Sequence, residues 1–149
     1  MAHQESATEH WEKVHRGREL LLSGYQVQWT PSRLTSSGAW TMPYPDYDEM
    51  LMGALDAAST ILGPDHDYLA SFERTREVPI SSASVSDLST WFTYIQRGER
   101  FADGHIAHYV ESGEFLLLLD RLVALRDSLR IASRDGGGAR EGDEARPSP

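Results

Sequence analysis

The chain has 149 residues, 40% of them hydrophobic, with 23 acidic against 14 basic side chains and a formal net charge of −9. That length and apolar share suit one domain with a single core. There is no cysteine, which excludes disulfides, thiolate nucleophiles, cysteine-ligated zinc and iron–sulfur clusters, and leaves only His, Asp and Glu to hold a metal.

The first residues, Met-Ala-His-Gln-Glu-Ser, carry no basic cap and no apolar run, and the longest apolar stretch, Phe115 to Leu119, is far short of a membrane span. The expectation is a soluble, unexported, cytoplasmic protein whose residues 1–6 are flexible. From Ala7 to Leu22 the positions Ala7, Trp11, Val14, Leu21 and Leu22 follow helical spacing, and Gly24 is a natural stop. Tyr25, Val27 and Trp29 then alternate with glutamines, and Trp40, Met42 and Tyr44 alternate after a Pro/Ser/Gly-containing connection. Period-two alternation of this kind predicts a small hairpin, with Pro43 at an edge or a bulge because it has no N–H for a ladder.

Tyr44-Pro-Asp-Tyr-Asp-Glu has the prolines and carboxylates of a helix start, and an apolar stripe from Tyr47 through Leu51, Leu55 and Ala58 to Leu62 runs on until Gly63-Pro64. Asp65 is expected to cap a short helical piece with Tyr68, Leu69 and Phe72 inward. Ser84 and Asp87 have the spacing of a capping box, followed by a helical face of Val85, Leu88, Trp91, Phe92 and Ile95 that ends or weakens at Gly98. A short helix over residues 103–112 and a last one from Glu114 to about Ile131 complete the body, the last with an apolar face wide enough to be central. Residues 133–149 contain no large apolar side chain and are expected to be a disordered tail. The predicted fold is mainly α, or α+β if the hairpin forms. It is a single compact domain over residues 7–132, with about five helices and a two-stranded hairpin near residues 25–44.

Between Arg33 and Arg74 there are seven acidic residues and no basic one, which repels phosphate backbones. From Arg74 to Arg134 eight arginines are balanced by eight carboxylates, so no basic stripe forms and neither nucleic acid nor membrane is an expected partner. The acidic middle is either a solvated face or a face that meets a basic partner.

The densest polar cluster is Arg97-Gly-Glu-Arg-Phe-Ala-Asp-Gly-His105, followed by His108 and Glu111. Read functionally, Arg97 and Arg100 clamp a carboxylate or phosphate while His105 or Glu99 moves a proton, with Asp103 a third catalytic candidate. Read structurally, which is the preferred reading, Arg100 closes onto Asp103 or Glu99 to pin the turn, Phe101 packs inward, and Gly104 permits close helix approach. His105, His108 and Glu111 span an arc of about 120° on a helix, but the spacings of zinc-protease and di-iron helices are missing, so neither metal nor cofactor is expected. His66, between two aspartates, fits a helix-capping loop, and His3, His10 and His15 are expected to face solvent. Gly136 to Gly138 lacks the Lys-Ser/Thr of a phosphate loop, no Gly-x-Ser-x-Gly occurs, and the apparent helix–turn–helix at residues 104–113 leads into a leucine-rich helix unsuited to DNA.

The stretch from Tyr94 to Phe115 resembles a bacterial family classified only as a domain of unknown function, in its Arg-x-x-Arg-Phe-x-Asp-Gly motif, the following helix ending at Ser-Gly, and the leucine-rich closing helix. Met42-Pro-Tyr44 resembles the family's upstream segment, so the likeness covers about residues 40–126. Met42, Pro43, Tyr44, Arg97, Arg100, Phe101, Asp103 and Gly104 match by position, with His105 at the margin and His108 outside. The resemblance implies a shared fold and brings no activity with it.

Two function classes follow. The preferred one is a non-catalytic binding or regulatory module acting through protein–protein contact, with a partner or a second copy, on the acidic middle or on the aromatic hairpin of Tyr25, Trp29, Trp40 and Tyr44. The alternative is a small enzyme or anionic-ligand-binding protein whose pocket sets Tyr44 and Asp46 against Arg97, Arg100 and His105.

Overall fold

The computed structural model describes residues 5–135, and each of its elements begins where local chemistry permits. Ser6 caps α1 (Ala7–Leu22) in a full capping box with Glu9, and the chain leaves the helix through Gly24 at φ 89°. Two short antiparallel strands follow, β1 (Gln28–Thr30) and β2 (Tyr44–Asp46), with Trp29 opposite Pro45. The hairpin therefore exists, but its strands are shorter than the alternating runs, and Pro43 lies just outside β2. Pro45 lies within it, which is tolerable because a two-stranded sheet is all edge.

Asp48 caps α2 (Glu49–Leu62) by accepting the Met50 N–H at 2.8 Å. α3 (Tyr68–Thr75) and a 3-10 turn at Ile80–Ser82 lead to α4 (Val85–Gly98), whose Ser84–Asp87 capping box forms as the spacing predicts. α5 (His105–Glu111) and α6 (Glu114–Asp135) close the fold. The molecule is thus mainly helical, one compact domain with six α-helices among the described residues where about five were expected. α6 runs past Ile131 and into the stretch expected to be tail; the rest of that tail, from residue 136, and residues 1–4 lie outside the described residues.

α1 packs closely against α2. A Cβ on Gly17 would lie 2.2 Å from the Ala54 Cβ and 3.2 Å from the Met50 carbonyl, so only glycine lets the two helices approach this closely. α4 and α6 supply the centre, where Phe92, Phe115, Leu118, Leu119 and Leu122 are fully buried and Phe92 meets Phe115 edge-on. The apolar width of the last helix was a sound guide to its central position.

Other expectations fail for tertiary reasons. Asp65 does not cap α3: its carboxylate accepts the Asp67 N–H and the Thr90 hydroxyl, tying the α2–α3 loop to α4. Leu69 faces solvent, because Tyr68 and Phe72 already take the contacts with Tyr94 and Trp91. His10 and His15 are half-buried, His15 beside Arg126 of α6. Among the described residues no helix is long and apolar enough to cross a membrane.

Candidate functional site

The polar cluster after α4 is organised by Glu99, not by its arginines. α5 starts abruptly after Gly104 at φ 89°, and the first N–H groups of a helix have no partner within it. Glu99 supplies two of the missing acceptors: its Oε1 takes the Gly104 N–H at 3.0 Å and its Oε2 the Ile106 N–H at 2.7 Å. The Tyr47 hydroxyl, just before α2, donates to Glu99 Oε1 at 2.8 Å and accepts the Ala107 N–H at 3.1 Å, while the His105 N–H bonds the Ala102 carbonyl at 3.1 Å. Every amide from residue 104 to 107 is satisfied, and α2, α4 and α5 are joined at one point. Burial, and then the Glu99 hydrogen bond, push the Tyr47 hydroxyl's ionisation well above its usual range, so it remains a protonated donor.

The arginines lie elsewhere. Arg97 sits over the Tyr68 ring, 5.2 Å from its centroid, and Arg100 is exposed. Among the described residues neither forms an ion pair, so the expected closure of Arg100 on Asp103 or Glu99 does not occur. Glu99 already has three donors, and Asp103 remains exposed. Phe101, expected inside, is 84% exposed.

His105 packs its ring against Tyr94 and Tyr109, with centroids 5.0 and 5.2 Å away, and over Gly98, where a Cβ would come within 2.2 Å of the imidazole. Its Nε2 is buried without a hydrogen-bond partner, and burial lowers its pKa, with Glu99 opposing. The imidazole, tilted against Tyr94 and edge-on to Tyr109, holds the α4–α5 corner together. Gly104 has a close-approach role of its own, since a Cβ there would stand 2.6 Å from the Trp29 ring, whose Nε1 donates to Glu111 at 3.1 Å. Glu111 is therefore engaged by the hairpin. No group of three or more His, Asp or Glu able to hold a metal occurs among the described residues.

Tyr44 and Asp46 lie on β2, exposed, and among the described residues no hydrogen bond or ion pair links them to Arg97, Arg100 or His105. The structure instead groups Tyr44 with the rest of the hairpin. Its tip is a tight turn in which the Thr35 N–H bonds the Ala39 carbonyl at 2.8 Å and Gly38 takes φ 83°. The Thr35–Ala39 and Thr41–Arg33 hydrogen bonds flank the bridged pair Leu34–Trp40, which is thereby a non-hydrogen-bonded pair with its side chains close together. Trp40 is 70% and Met42 76% exposed, and Leu34 and Tyr44 are also open to solvent.

A second feature escaped sequence reasoning. Around Trp91 and Tyr109 a cleft of about 480 Å³ is bounded by Arg76, His108 and Glu114, residues spread over 39 positions of sequence. Nothing local links Arg76 to that cleft, although the aromatic faces of α4 and α5 were visible as inward positions.

No curated protein and no solved structure matches the chain. One family model does, over residues 8–128, which takes in nearly all of α1, the hairpin, the Glu99 clasp and most of α6. That span is most of the molecule, and the chain belongs to the family of unknown function DUF6508.

Proposed function

We propose that the protein is a non-catalytic binding module that docks a protein partner on the apolar face of its β1–β2 hairpin. The observation that carries this reading is the gathering of Leu34, Trp40, Met42 and Tyr44, all exposed, on one two-stranded element. Isolated exposed apolar side chains are ordinary on a protein surface, whereas contiguous ones, with aromatics and Met prominent, are typical of interface centres. Trp29 anchors the base of the element against Gly104 and Glu111, and its strands are already paired in the absence of a partner. Asp46 ends β2 and Asp48 and Glu49 follow it, so the complementary partner surface is an apolar groove with a basic rim. The self-satisfied Glu99 clasp, with no free donor at residues 104 to 107, argues for a structural rather than catalytic role for that cluster.

The test is a photo-crosslinking amino acid placed at position 42 of the full chain in its own cells, with the same probe at exposed Glu77 as control. A discrete protein adduct at 42, absent at 77 and lost when Trp40→Ser is added, is expected. Identical adducts at both positions, or none at 42, would contradict the proposal.

A further inference from the structure

We propose that the cleft between α3, α4 and α5 is a binding site for a small zwitterion of the amino-acid class, with an apolar side chain. Three independent features of the cleft support this. Trp91 forms part of its wall and is only 5% exposed, yet its indole N–H has no hydrogen-bond partner. A buried donor left unpaired is costly and native proteins rarely tolerate it, so a site beside a cleft is where a ligand oxygen would complete it.

Second, the cleft carries one fixed charge of each sign. Arg76 and Glu114 both line it, but they do not pair with each other: Arg76 reaches Glu73 at 3.6 Å, and Glu114 accepts the Ser112 hydroxyl at 3.2 Å. Both act on the buried Tyr109 hydroxyl, whose ionisation is pushed up by burial, by Tyr94 and by Glu114, and opposed by Arg76. A carboxylate facing Arg76 and the Trp91 N–H, with an ammonium group facing Glu114, would satisfy all three.

Third, a more apolar groove adjoins the cleft. Phe72 and Tyr109 both meet Trp91 edge-on, at 5.1 and 5.7 Å between ring centroids, which fixes the position of the indole. Ile80 and Glu114 also border a neighbouring groove of about 580 Å³, where Leu117 and Ala124 lie. The two concavities meet at the residue assigned to the ammonium group, so the side chain has room beyond it. The cleft's volume lies within the usual range for small-molecule sites. This site shares no residue with the hairpin surface, so the two proposals stand or fall separately.

Titration calorimetry of the full chain with L-leucine, leucinamide and 4-methylpentanoate tests it, since the last two each lack one charge. L-leucine is expected to bind saturably, and each analogue about tenfold or more weaker. Arg76→Gln should remove the preference for L-leucine over leucinamide, and Glu114→Gln the preference over 4-methylpentanoate. Arg76 is exposed, so its replacement leaves the fold intact; Trp91→Phe, in the core, is a supporting variant with its melting temperature checked first. No saturable binding of L-leucine, equal binding of all three compounds, or binding indifferent to both Arg76→Gln and Glu114→Gln would overturn the proposal.

Discussion

At the scale of single residues, Glu99 is the side chain on which most local order depends. It accepts hydrogen bonds from Tyr47, Gly104 and Ile106, and removing its charge weakens three charge-assisted bonds at once. Glu99→Gln should therefore cost about 1.5–3 kcal/mol in urea unfolding, and Tyr47→Phe about 1 kcal/mol. Because the two share one hydrogen bond, the double variant should lose less than the sum, and strict additivity would refute the shared clasp. His105 makes a pH prediction. Its pKa is lowered in the folded protein by burial, with Glu99 opposing, so on acidification the unfolded chain takes up its proton first, near the ordinary value of about 6.5. The unfolded state binds more protons in that window, and stability falls as pH drops from about 6.5 toward the folded value. Melting curves of His105→Phe across pH 5–8 should be flatter than those of the parent; parallel curves would place the titration elsewhere.

At the scale of elements, the fold depends on three glycine contacts that allow only hydrogen at the Cα, at Gly17, Gly98 and Gly104. Gly17→Ala drives a methyl into Ala54 across the α1–α2 seam and should cost about 1–3 kcal/mol by overpacking. Gly104→Ala adds a positive-φ penalty of about 1–2 kcal/mol and displaces Trp29, so loss of the fluorescence signature of that indole should accompany it. The sequence was informative wherever an interaction closes within one turn. The Ser84–Asp87 box, the α1 and α2 apolar stripes and the Gly63-Pro64 stop are all local patterns, and all appear in the fold. It was uninformative about the partner of a long polar side chain. Glu99 lies 52 positions from Tyr47 and only one from Arg100, yet the distant hydroxyl and the α5 amides take it. Desolvated backbone donors at a helix start need an acceptor, while an exposed arginine is already served by water. Phe101 misled for a related reason: apolar character predicts burial only where the backbone turns the side chain toward a core, and the α4–α5 turn does not.

At the scale of the whole molecule, a helical body carries a hairpin whose apolar face is not used in folding. Trp40 and Met42 contribute little to the packed core, so replacing both by Ser should change unfolding free energy by no more than about 0.5 kcal/mol. The run of seven acidic residues between Arg33 and Arg74 adds a steering field, so association with a basic-rimmed partner should slow as salt rises from low to physiological strength. The most direct measurement is a calorimetric comparison of the parent and the Trp40→Ser/Met42→Ser variant against the partner captured at position 42. An unchanged melting temperature with binding lost is the predicted result; undiminished binding by the variant would contradict the account.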